Sequence, residues 1–155
     1  MALDILIVDD ERDIRDLVAG VLSDEGYDCR TAGDSEAALA AVDAQRPSLV
    51  LLDVWLHGSP MDGLEVLDAI KAREPDLPVI VFSGHGNIDT AVSAISRGAM
   101  DFIEKPFETE RLLHLVGRAY YSRAEYRLAL DYWTEGMAVA ERRVGAERRS
   151  SRSSR

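Results

Sequence analysis

Between Asp4 and about Ala119 the chain alternates short aliphatic runs with stretches whose apolar residues recur every three or four positions. Short runs rich in Val, Ile and Leu predict strands, and the longer periodicity predicts amphipathic helices. The predicted strands are Asp4 to Val8, Asp28 to Thr31, Leu49 to Leu52, Val79 to Phe82 and Asp101 to Ile103. Leu49-Val50-Leu51-Leu52 and Val79-Ile80-Val81-Phe82 have no polar position, as expected of strands covered by helices on both faces. Helices are predicted near Ile14 to Glu25, Ser35 to Gln45, Leu64 to Arg73, Ile88 to Arg97 and from Thr109 onward. Ser35 and Asn87 are expected to cap helix N-termini, Gly26 and Gly98 to end helices, and Pro47, Pro75 and Pro78 to sit between elements. Alternation of this kind is the pattern of an α/β fold in which crossover helices join parallel strands.

Charge divides the chain in two. Residues 1–117 carry 23 Asp or Glu against 9 Lys or Arg, net −14, whereas residues 118–155 carry 5 against 9, net +4. An acidic body of that size repels a phosphate backbone, which argues against nucleic acid as its partner. No apolar run approaches the ~20 residues that span a bilayer. The segment before Asp9 lacks the basic flank of a signal peptide. A cytoplasmic protein with no membrane segment is therefore expected. The single cysteine, Cys29, excludes an internal disulfide, and its place in an alternating segment predicts a packed thiol. His57, His85 and His114 show no metal-ligand spacing and are expected to be exposed or packed.

The chemistry-bearing residues lie where the strands end. Asp9-Asp10 follow the first predicted strand, Asp53 the third, Ser83 the fourth and Lys105-Pro106 the fifth. In open parallel sheets the crevice beyond the strand C-termini is where ligands bind, so these side chains should converge. Carboxylates brought together repel, and a hard divalent cation such as Mg²⁺ relieves that repulsion with a few carboxylates, a carbonyl and waters. No GxxxxGK[ST] loop or strand-linked GxGxxG is present, so nucleotide binding lacks its usual cradle.

Asp9-Asp10, Asp53, Ser83 and Lys105-Pro106 at the ends of successive strands resemble the receiver domain of two-component response regulators over about residues 3–119. The resemblance implies a flavodoxin-like, doubly wound, five-stranded parallel sheet of order 2-1-3-4-5 with a C-terminal helical extension. It implies Asp53 as phosphoacceptor for a sensor histidine kinase. Mg²⁺ would be held by Asp10, Asp53 and the Trp55 backbone carbonyl, with Asp9 acting through water. Ser83 and Lys105 would contact the phosphoryl group, Ser83 and Phe102 would form the switch, and the peptide before Pro106 would be cis. Such a domain catalyses only its own phosphoryl transfer and dephosphorylation. A haloacid-dehalogenase-type phosphatase needs a second acid where Trp55 stands.

The strings Ser83-Gly84-His85-Gly86-Asn87-Ile88 and Gly98-Ala99-Met100-Asp101-Phe102-Ile103-Glu104-Lys105-Pro106-Phe107 look most like the NtrX/NtrC branch. From Asp53 to Gly63 the loop is two residues longer than is usual in the family, with His57 where proline is common. The chain length leaves no room for the branch's ATPase and DNA-binding modules, so direct transcriptional activation is not expected.

Residues 110–143 resemble one tetratricopeptide hairpin, sharing the last receiver helix, with Tyr120 and Trp133 between its helices. One repeat cannot bury its own apolar face, so it is expected to pack on the receiver, a second copy or a partner. The alternative for this segment is a continuous linker helix. Residues 144–155, mostly Arg and Ser, are predicted to be a disordered basic tail. The expected contact surface is the fourth helix, fifth strand, fifth helix and hairpin, toward a protein partner or a second copy. The rival reading of the whole chain is a phosphate-independent scaffold or truncated regulator acting through the hairpin.

Overall fold

The structure, a computed structural model, describes residues 3–84 and 88–121. By compactness the chain divides after Ala119, and the fold lies in the unit Met1–Ala119. Its elements run β1 (Asp4–Val8), α1 (Arg12–Asp24), β2 (Asp28–Ala32), α2 (Ser35–Ala44), β3 (Leu49–Asp53), α3 (Gly63–Arg73), β4 (Val79–Ser83), α4 (Ile88–Ser96) and β5 (Asp101–Glu104). A further helix, α5, begins at residue 109. All five strands are parallel, in the order β2-β1-β3-β4-β5.

Strict alternation of side chains sends each strand into two cores. Leu6, Val8, Val50, Leu52, Val79 and Val81 meet α2, α3 and α4 on one face. Ile5, Ile7, Leu49, Leu51, Ile80, Phe82 and Ile103 meet α1 and α5 on the other. Every residue of β3 and β4 is buried, which explains their unbroken aliphatic runs. A buried leucine of this kind contributes roughly 1.5–3 kcal/mol.

Four strands run one residue beyond their predicted ends, taking in Ala32, Asp53, Ser83 and Glu104. Backbone pairing carries them on whatever the side chain: Asp53 stands in register with Phe82, and Ser83 with Glu104. The polar site residues are thus last rungs of the sheet rather than loop residues, which restricts their backbones.

The capping of α2 corrects the expectation from sequence. Asp34, not Ser35, is the N-cap, its carboxylate accepting from the Ala37 amide at 2.8 Å. Ser35 is the first helical residue and is buried. Its amide donates to Ser59 Oγ, and its hydroxyl accepts from the Met61 amide, so it stitches the β3–α3 loop to α2. At α3, Asp62 and Glu65 form a reciprocal capping box. Gly26 and Gly98 leave α1 and α4 with φ of 91° and 102°, the left-handed conformation that a Cβ disfavours. Cys29 is half-buried against the α1/α5 core, and burial, the largest influence, raises its thiol pKa. Asn87 and His85 lie outside the described residues, as do Trp133, most of the hairpin and the basic tail. Among the described residues no helix is long and apolar enough to cross a membrane.

Candidate functional site

The sheet's register sets the site. β1 and β3 end side by side, and ladder bonds continue past them: the Asp9 amide donates to the Ala32 carbonyl and the Val54 amide to the Phe82 carbonyl. Asp9, Asp10 and Asp53 are thereby gathered with one carboxylate oxygen from each inside a 4.8 Å group. Lys105 arrives from beyond β5. Its amide donates to the Ser83 carbonyl at 2.8 Å, its peptide to Pro106 is cis, and its ammonium lies 4.9 Å from the centre of the Phe82 ring.

From there the Lys105 ammonium donates to Asp9 Oδ2 at 2.7 Å and to Asp53 Oδ2 at 3.3 Å. Asp9 is fully buried, and its other oxygen accepts from the Glu11 amide at 2.9 Å. Asp53 Oδ1 accepts only a long 3.3 Å bond from the Trp55 amide. Asp10 is half-exposed and takes no protein hydrogen bond or ion pair among the described residues. Lone pairs are therefore open on Asp10 and Asp53, while Asp9 is committed to holding Lys105. Hard carboxylate oxygens with room for water suit a magnesium-type cation. The cleft they line holds about 80 Å³, enough for several waters.

Burial dominates the electrostatics. It pushes the Asp53 carboxyl up to about 6 against the pull of Lys105, with Asp9 adding to the rise. Burial also works against the Lys105 ammonium, but its bond to Asp9 and the charges of Asp53 and Asp9 outweigh it, so that pKa is raised. Lys105 holds its proton, while burial resists the charge on Asp53.

Two supports are tertiary. Arg15 of α1 donates to the Asp9 carbonyl at 2.7 Å and lies against Gly33, where a Cβ would sit 3.1 Å from its guanidinium. Gly63 presses on the end of β3: a Cβ there would stand 2.0 Å from the Asp53 carbonyl oxygen, and the Gly63 amide donates to the Val54 carbonyl. Neither support is visible in a local sequence window.

The predicted residues are only partly brought together. Asp10, Asp53, Trp55 and Lys105 line the cleft, joined by Glu11, His57 and Gly84, which sequence reasoning did not place there. Ser83 is fully buried at the end of β4, and the cleft wall beside it is Gly84. Phe102 is half-buried and packs on the α2–α4 side. Tyr120 is exposed.

A family model, the response regulator receiver domain, matches residues 5–117. The chain belongs to that family. Over 119 residues it is 62% identical to the nitrogen assimilation regulatory protein NtrX of Azorhizobium caulinodans, covering 77% of this chain and 26% of that protein. The crystal structure of the receiver domain of NtrX from Brucella abortus superposes with a TM-score of 0.73 at 64% identity, over 75% of this chain and 97% of that one. The solution structure of the beryllofluoride-activated NtrC4 receiver domain dimer gives 0.72 at 39% identity, over 77% and 97%. The chain spans about a quarter of the length of the curated relatives it matches.

Residues 5–117 are thus a receiver domain of the NtrX/NtrC type, from two-component systems that signal by phosphorylation. Receivers of this type are phosphorylated by sensor histidine kinases and can dimerise, and they bind Mg²⁺ at an acidic pocket such as that of Asp9, Asp10 and Asp53. The scaffold alternative is not favoured.

Proposed function

We propose that Asp53 takes a phosphoryl group from the phosphohistidine of a sensor histidine kinase, and that the phosphorylated domain then exchanges protein contacts. One observation carries this reading: Asp53 is a 4% exposed carboxylate on a last sheet rung, within a cluster of three acids and 3.3 Å from a lysine ammonium. An Asp53 oxygen forms a bond to phosphorus as the N–P bond breaks, its electron pair staying on the imidazole, and an acyl phosphate results. Such a transfer asks mainly for positioning and neutralisation of the equatorial oxygens.

Asp10, Asp53 and the Trp55 carbonyl would hold Mg²⁺, with Asp9 behind a water. When bound, the ion supplies positive charge opposite the phosphoryl oxygens. Lys105 exchanges its longer contact, to Asp53 Oδ2, for a phosphoryl oxygen while Asp9 keeps the ammonium in place. The Ser83 hydroxyl donates to a second oxygen, and Phe102 repacks behind it, carrying the change to α4, β5 and α5. Exposed Ile88, Val92 and Ile95 on α4 support that surface as the one a partner or second copy covers. The domain acts in the cytoplasm and catalyses only its own phosphoryl transfer and dephosphorylation.

Mass spectrometry after incubation with acetyl phosphate and Mg²⁺ tests the assignment. The wild-type chain gains one phosphoryl group and Asp53→Asn gains none; equal labelling of both, or of neither, overturns it.

A further inference from the structure

The β3–α3 loop is pinned from one side and bare on the other. Val54 and Leu56 are buried in the α2–α3 core, and Met61 packs against it. Ser35 ties both Ser59 and Met61, Gly58 turns at φ 73°, and Gly63 leaves no slack against the Asp53 carbonyl. Trp55 and His57, the alternate residues, are exposed and line the cleft around Asp53. A loop with both ends and its middle anchored holds its outward side chains at fixed places.

We propose that His57 is a positioning residue for loss of the phosphoryl group, holding the water that attacks phosphorus. This rests on the reading of Asp53 as the phosphoacceptor. Among the described residues that line the cleft, side-chain chemistry distinguishes His57. Asp10 and Asp53 are the cation and phosphoryl ligands, Lys105 is a donor only, and Gly84 offers no side chain. Glu11 would add negative charge beside an already anionic group. The uncharged form of an imidazole accepts a hydrogen bond from water without that repulsion.

In the step, the water oxygen bonds to phosphorus and the P–O bond to Asp53 breaks with its electron pair returning to the carboxylate. Both water hydrogens leave on the product, dihydrogen phosphate, and His57 gains and loses no proton overall. Trp55 lines the same cleft.

The test follows decay of the phosphorylated full chain after acetyl phosphate is removed, at one fixed pH with Mg²⁺, for wild type, His57→Ala and His57→Gln. His57→Ala should slow decay about fivefold, the equivalent of ~1 kcal/mol. His57→Gln, whose amide oxygen still accepts from water, should recover at least half of that loss, which a merely structural role would not produce. Decay of His57→Ala within 1.5-fold of wild type, or faster, overturns the proposal, as does a glutamine variant as slow as alanine. A wild-type chain that takes up no phosphate sinks the underlying assignment of Asp53 instead, so the two failures are distinguishable.

Discussion

Removing the charge of Asp53 should stabilise the cation-free protein, although it deletes an ion pair. The folded-state pKa is raised from 3.8 to about 6, chiefly by burial. Between those values the native state binds more protons than the unfolded chain. Stability is therefore fully present below the unfolded pKa and is lost as pH rises through about 6. Across the whole window the shift is equivalent to about 3 kcal/mol at 1.36 kcal/mol per pH unit. Between pH 7.5 and pH 5 roughly half of that is recovered, ~1–2 kcal/mol. Asp53→Asn cannot titrate and should lack that portion. At pH 7.5 it should be more stable than wild type by ~1–2 kcal/mol, since Lys105 keeps its shorter bond to Asp9. Urea unfolding of both proteins in chelator, at pH 7.5 and pH 5, measures the difference and cancels groups common to both. An Asp53→Asn protein that is less stable at pH 7.5, or whose pH dependence matches wild type, would refute the reasoning that burial outweighs Lys105.

Other supports of the site make their own predictions. Gly63→Ala should lose more than ~3 kcal/mol in urea melts, because its Cβ meets backbone at the Asp53 carbonyl rather than a side chain that can turn away. Gly33→Ala should act through Arg15: it weakens the bond to the Asp9 carbonyl in the wild-type background and becomes neutral or stabilising beside Arg15→Ala. A double-mutant cycle should then show a coupling of about 1 kcal/mol, and a coupling near zero would mean that Arg15 yields freely.

Much of this architecture is legible in the residues themselves, for identifiable reasons. Leu49 to Leu52 and Val79 to Phe82 read as buried parallel strands because two-sided burial leaves no polar position. Asp9, Asp53 and Lys105 read as convergent because strand ends in a parallel sheet share one side. What stayed hidden depends on contacts between distant segments. Ser35 and Asp34 are equally good caps by composition, but the Ser35 hydroxyl is engaged by the Met61 amide of a distant loop while Asp34 takes the helix amide. His57 enters the cleft because Leu56 is drawn into the core, which no local pattern announces. Arg15 and Gly63 do their work on backbone carbonyls, which side-chain chemistry in the sequence does not reveal.

The bond between Lys105 and Asp9 joins residues 96 positions apart. A nascent polypeptide emerges from its amino end, so all three acids exist long before their lysine does. Until β5 docks, the half-made molecule carries a knot of unrelieved negative charge at its rim. The competent pocket cannot form before residue 105 has emerged, and a fragment released earlier has no means of imitating it.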